Sequence, residues 1–204
     1  MNPGPALSLD KAWELLRGIE GESSYLAYDK ANVHRQVLCN RTEAARDRFT
    51  AAYKAGNREE MLAAKQVFLD LCDEITAVLK TRREFSLDEW ISDARSWGHT
   101  EEEKAYFEMN ARTLISVWGD SFHLWDYANR DWDGLVDTYY KVRWERFFDA
   151  VIAAFDAGEP FVNSWSTGYV NSTASGTASG VEGRALQFDK DIWDFACEWA
   201  QVRE

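Results

Sequence analysis

Between Trp118 and Leu135 the chain reads WGDSFHLWDYANRDWDGL, eighteen residues holding three Trp, a Phe, a Tyr, a His and four Asp. Flat aromatic faces beside acids and an amide are residue types that hold a sugar-like ligand, with rings packing on its apolar face and polar groups taking its hydroxyls. The spacing places this crowd at a connection: Trp118 and Gly119 close one helix and SFHLWDYAN opens the next. Aromatics in a connection are harder to explain as core than aromatics on a helical stripe. Trp132 falls inside the following helix and reads as packing. Asp126, Tyr127 and Asn129 suit a hydroxylated ligand and suit equally the free backbone groups of a helix start. His123, within the same stretch, is a candidate ligand contact.

The other reactive residue types are scattered. His34, His99 and His123 have neither HxxxH nor HExxH spacing, so they signal no zinc site and no triad. Cys39, Cys72 and Cys197 lack a CxxC pair and read as buried free thiols. With no GxGxxG and no GxxxxGK[ST], cofactor phosphates have no cradle, so neither a metal nor a cofactor is expected. Glu101, Glu102 and Glu103 read as acids favoured in a first helical turn. A glycosidase carboxylate pair is a matter of separation in space, which spacing along one helix does not fix. The triplets Asn40-Arg-Thr and Asn171-Ser-Thr would bear glycans only in a secretory setting.

A formal net charge of −12 disfavours attraction to phosphate backbones and to anionic lipid, so neither nucleic acid nor a membrane is an expected partner. No run approaches the roughly 20 apolar residues that cross a bilayer. MNPGPALSLDKAW has neither the basic start nor the apolar middle of a secretory signal.

The elements that position these residues read as helices almost throughout. Met61, Ala64, Phe68, Leu71, Cys72, Ile75, Val78 and Leu79 form one stripe between Asn57 and Lys80. Asn57 with Glu60, Ser86 with Glu89 and Thr100 with Glu103 each have the pattern of a capped start. Tyr25 to Tyr53 is another long helical stretch, and Ser8 would cap a helix through Trp13 and Leu16. Leu124 to Ala157 reads as one long helix, or two joined near Thr138, stopped by Gly158 and Pro160. Asn163 to Gly183 reads as a flexible Ser/Thr/Gly-rich surface loop, after which Phe188, Asp189 and Trp193 open a closing helix to about Val202. The expected fold is all-α: a single helical bundle over residues 1–204, of six to eight helices with one long loop at 163–183. Strand and helix do not alternate, which excludes a (β/α) barrel.

Against that background LISVWGDSFHLWDYANRDWDGLVDTYYKVRWERFFDAV resembles the C-terminal helical domain of the α-N-acetylglucosaminidases, glycoside hydrolase family 89. The likeness rests on an ordered set: Trp118-Gly119, Asp126 to Asn129, Gly134-Leu135, Tyr139-Tyr140 and Arg143-Trp144. YLAYDKANVHRQVL is similar to the family's tyrosine-aspartate helix ending in Arg-Gln. LCDEITAVLKTRREFSLDEWISDAR resembles the next two helices, Tyr106 to Asn110 matches loosely, and Gln187 to Lys190 looks like the family's QFDK. The region covered is about 25–190.

The resemblance implies removal of terminal α-linked N-acetylglucosamine by catalytic glutamates carried on a preceding (β/α) barrel, with this domain closing one wall of the pocket. Carried over, the wall residues are Trp118 and Leu124, and Asp126 and Tyr127 would brace the connection or reach a hydroxyl. No catalytic residue is then expected here and no activity from this chain alone. The implied partners are a barrel catalytic domain and an N-acetylglucosamine-terminated glycan, in a lysosomal, periplasmic or extracellular setting. A stand-alone helical module that binds carbohydrate or protein without catalysis is the alternative.

Overall fold

The computed structural model describes residues 7–118, 128–161 and 191–201. Seven α-helices run through them: α1 (Leu7–Arg17), α2 (Ser24–Lys54), α3 (Arg58–Leu79), α4 (Leu87–Arg95), α5 (Glu101–Leu114), α6 (Lys141–Asp156) and α7 (residues 191–200). Among the described residues no strand occurs, and extended pairing is limited to a parallel bridge between Ser86 and Asp133. The all-α class expected from periodicity is the class observed.

The chain divides into two compact units, Met1–Glu89 with Asp131–Val142, and Trp90–Arg130 with Arg143–Glu204. In the first unit α2 packs along α3. Ala31, Leu38, Ala45 and Ala52 are buried at heptad spacing on α2, and Met61, Phe68 and Ile75 answer at the same spacing on α3. Three of the four α2 positions are Ala, so large side chains on α3 can sit close against the α2 backbone. Leu38, Met61 and Leu79 lose all contact with solvent, each contributing about 2 kcal/mol of apolar burial.

The turn between these helices is short because one residue serves both. The N–H groups of Gly56 and Asn57 return to Tyr53 O and Ala52 O at 3.1 and 2.9 Å, closing α2, while the Asn57 side chain accepts the Glu60 N–H at 3.1 Å and opens α3. Glu60 does not complete a capping box there, because Asn57 has already spent its N–H on Ala52 and the Glu60 carboxylate pairs with Arg48. α1 lies on α2 through Trp13, whose ring stacks on His34 at 4.2 Å.

In the second unit Phe148, Val151 and Ile152 of α6, Ile192, Ala196 and Ala200 of α7, and Ala111 of α5 are buried. Of the α6 aromatics Phe148 is fully buried, Trp144, itself half-buried, stacks on it at 5.6 Å, and the half-buried Phe147 meets Phe161 edge-on at 5.4 Å. Arg146 lies over the Phe195 ring at 4.3 Å, tying α6 to α7.

Several boundaries differ from the sequence reading. α1 is already helical at Leu7, so Ser8 lies inside it and is not its cap. α5 stops at Leu114, and a turn separates it from Trp118. Residues 128–135 are not helical; the chain becomes helical at a π turn, Val136–Tyr140, that contains Thr138 and leads into α6. Trp132 therefore lies outside any helix, its carbonyl accepting the Val136 N–H at 2.9 Å. The cause is tertiary: Asp133 pairs its N–H with Phe85 O at 2.8 Å and its carbonyl with the Leu87 N–H at 3.1 Å, and Gly134 adopts φ 76°. Gly158, by contrast, stops α6 as expected, with Glu159 N–H on Ala154 O. The loop 163–183, Phe188 and Asp189 lie outside the described residues.

Candidate functional site

Of the candidate site residues, Trp118 is described and is half-buried; His123, Leu124, Asp126 and Tyr127 lie outside the described residues. What can be built from the residues upward is therefore the upstream edge of the aromatic stretch at Trp118 and its downstream end at Asn129 to Leu135.

The upstream edge begins with α5. Thr100 and Glu103 form a complete capping box, the Thr100 hydroxyl accepting the Glu103 N–H at 3.1 Å and the Glu103 carboxylate accepting the Thr100 N–H at 3.1 Å. Gly98 is required just before it, since a Cβ there would lie 2.5 Å from the Lys104 nitrogen. Glu108, buried on α5, receives Arg95 of α4 and Arg112 one turn on, both at 2.9 Å. Trp90 donates its indole N–H to the Ala111 carbonyl at 3.0 Å, and Arg112 places its guanidinium 5.1 Å over the Trp199 ring of α7. The last turn of α5 is thus fixed from α4 and from α7.

Beyond Leu114 the residues Ile115, Ser116 and Val117 are all buried, and the Ser116 hydroxyl donates to Arg112 O at 2.7 Å. With those three side chains tied inward, the chain turns at Trp118, whose N–H closes on Thr113 O at 2.7 Å. Trp118 takes φ 64°, the one positive φ outside glycine among the described residues. For a bulky side chain this left-handed geometry costs on the order of 1–2 kcal/mol. Strain of this kind persists where the surroundings over-determine it, and it gathers at ligand-holding positions.

The downstream end is held in the first unit. Arg35 pairs with Asp131 and donates to Asn32 Oδ1 at 2.7 Å, and its guanidinium lies 5.9 Å over the Phe85 ring. Phe85 stacks on Tyr28 at 5.2 Å. Next come the Asp133 bridge and Gly134, where a Cβ would approach Leu87 Cβ at 3.1 Å. The Thr138 hydroxyl donates to Gly134 O, binding the first helical turn to this corner. Reading for chemistry missed Arg35, Asp131 and Asp133, although Arg35 is the Arg of the quoted Arg-Gln pair and Asp131 belongs to the opening stretch.

Electrostatics argue against a nucleophile at the described thiols. Burial pushes Cys39 up to about 11 and Cys72 up to about 12, so both stay protonated at neutral pH. Burial also holds the Asp133 carboxyl above the usual carboxylate range; Lys80 opposes this, while Asp88 and Asp137 add to it. Among the described residues no group of three His, Cys, Asp or Glu side chains is placed to hold a metal ion, and no helix is long and apolar enough to cross a membrane.

Over residues 5–196 the chain matches the family described as Alpha-N-acetylglucosaminidase (NAGLU) C-terminal domain. It is 29% identical over 155 residues to the α-N-acetylglucosaminidase of Homo sapiens, covering 74% of this chain and 21% of that protein. Among solved structures it is similar to a Clostridium perfringens family 89 enzyme in complex with its substrate GlcNAc-α-1,4-galactose. The TM-score is 0.64 at 28% identity, over 91% of this chain and 22% of the other. The family 89 glycoside hydrolase of the same organism in complex with PUGNAc gives 0.65 at 26% identity, over 94% and 23%. The chain spans about a fifth of the length of these relatives.

Proposed function

The chain belongs to the family of α-N-acetylglucosaminidase C-terminal domains, and on that premise we propose that it lines the substrate pocket of a glycosidase acting on terminal α-linked N-acetylglucosamine. The acid and nucleophile are supplied by a (β/α) barrel on another segment. The observation that carries this reading is Trp118: an indole in left-handed backbone, half-buried, at the end of a turn braced from two helices. An indole carried on a backbone held in that way offers a flat apolar face, which suits the pyranose ring and acetamido methyl of the sugar. In the proposed role Leu124 is the second wall residue, and His123, Asp126 and Tyr127 are the candidate polar contacts or braces. The likeness to a family 89 enzyme bound to GlcNAc-α-1,4-galactose supports the substrate class.

The chain's contribution is binding and orientation. By holding the ring in place it raises the effective concentration of the scissile bond at the barrel's carboxylates, the kind of positioning that governs rate when the reacting groups lie elsewhere. Adding the 204-residue chain to a separately produced barrel domain is expected to raise hydrolysis of an α-N-acetylglucosaminide above that of either piece. An unchanged rate, together with a Trp emission that responds to N-acetylglucosamine, would favour a stand-alone sugar-binding module instead.

A further inference from the structure

We propose that Arg35 is a positioning residue, one that sets the path of the chain as it leaves the aromatic stretch; the inference rests on the reading of that stretch as pocket wall. Two alternate residues of one non-helical segment are gripped by a single guanidinium assembly. Arg35 holds Asp131 by a direct ion pair. It holds Asp133 at one remove, because its guanidinium covers the ring of Phe85 and the Phe85 carbonyl accepts the Asp133 N–H at 2.8 Å. Asn32 takes a further N–H at 2.7 Å and the Tyr28 ring backs Phe85, so the fork has little freedom to turn.

Stability alone is a poor reason for such an arrangement. The Arg35 side chain is only 18% exposed, and apolar side chains of similar volume commonly stabilise a partly buried site as well as an ion pair does. What an ion pair adds is registry: in this arrangement the two terminal nitrogens of Arg35 reach Asp131 and Asn32, with Nε left buried and without a partner, and a shifted chain would lose the Asp131 pair. Asp131 follows Tyr127 by four positions in the sequence.

Amide hydrogen exchange on the full chain tests this. The N–H groups of Asp133 and Leu87 make the two bridge bonds, and Arg35→Ala is expected to speed their exchange by about tenfold or more while Leu71 and Ile75 of α3 stay within about twofold. Combining Arg35→Asp with Asp131→Arg is expected to restore much of the protection. Arg35→Lys is expected to restore less, since a single ammonium lacks the two separated nitrogens that reach Asp131 and Asn32 and the planar group that covers Phe85. Should Arg35→Ala fail to fold, Asp131→Asn removes the same pair from its more exposed side and carries the same expectation.

Bridge and α3 amides accelerating together would reduce Arg35 to a general stabiliser and overturn the proposal, as would no acceleration at all. Local exchange that follows the variants, in a chain that does not help the barrel domain, would sink the pocket reading and leave the Arg35 clasp standing.

Discussion

Trp118 takes φ 64° where three buried neighbours and a helix fixed by Glu108 leave it no other course, whereas Asp133 rests in ordinary extended backbone paired with Phe85 and Leu87. At the downstream corner glycine takes up the positive φ, at Gly134, where it costs little. At the upstream corner a tryptophan bears it. A chain under selection only for stability would put glycine at both corners. The contrast supports the two proposals made above, that the side chain at position 118 is kept for what it presents and that the downstream corner holds the backbone in register.

The strongest way to break the contrast is to release the upstream brace. Glu108→Ala leaves Arg95 and Arg112 without their shared buried partner, and about 3 kcal/mol of stability should be lost, read as a lowered midpoint in urea. Little change would mean that the α5 turn is fixed by packing alone. Next in size, Gly134→Ala introduces a Cβ that must take φ 76° and approach Leu87 Cβ at 3.1 Å, so a loss of about 2 kcal/mol is expected in the same titration. A neutral result would mean that the downstream corner has more slack than the upstream one.

The smallest effect is on pH dependence, and it belongs to the first unit. Burial, and after it Arg41, lowers the His34 pKa below the ordinary 6.5, with Glu74 opposing. A depressed folded value gives stability that is present above the unfolded pKa and is lost as pH falls through the folded one. Acidification from neutral should therefore lower the melting temperature, and His34→Gln should flatten the slope between about pH 7 and pH 5. Asp133 works in the opposite sense. Its raised carboxyl gives stability that is complete below the unfolded value of 3.8 and is lost as pH climbs through the folded one, so it opposes the His34 trend only at lower pH. An identical slope in the His34 variant would remove the Trp13–His34 stack from this account.

How much of this was legible in the sequence depends on how local the cause was. The starts at Asn57, Ser86 and Thr100 and the stop at Gly158 were readable because a cap is settled within a few residues, and the α3 stripe because its period is local. The entry into α6 was not. Leu135, Val136, Tyr139 and Tyr140 continue the helical spacing backwards, and what stops it is a bridge to Phe85 and Leu87 more than forty residues earlier in the chain. Trp132 was read inside a helix for the same reason. The crowding of Trp118 with acids was visible, yet its φ was not, since it follows from the burial of Ile115, Ser116 and Val117 together. The roles of Arg35 and Glu108 were hidden too, because a charge on a long helix looks solvated until its partner from a distant segment arrives.

The most direct measurement compares hydrolysis of an α-N-acetylglucosaminide by the barrel domain supplied with wild-type, Trp118→Ala or Trp118→Gly chain, alongside each chain's melting temperature. Relief of left-handed strain should keep the glycine variant at least as stable as the alanine one, while both lose most of the stimulation, on the order of tenfold or more. Full stimulation by Trp118→Gly would contradict the account, because the turn would then matter and the indole would not.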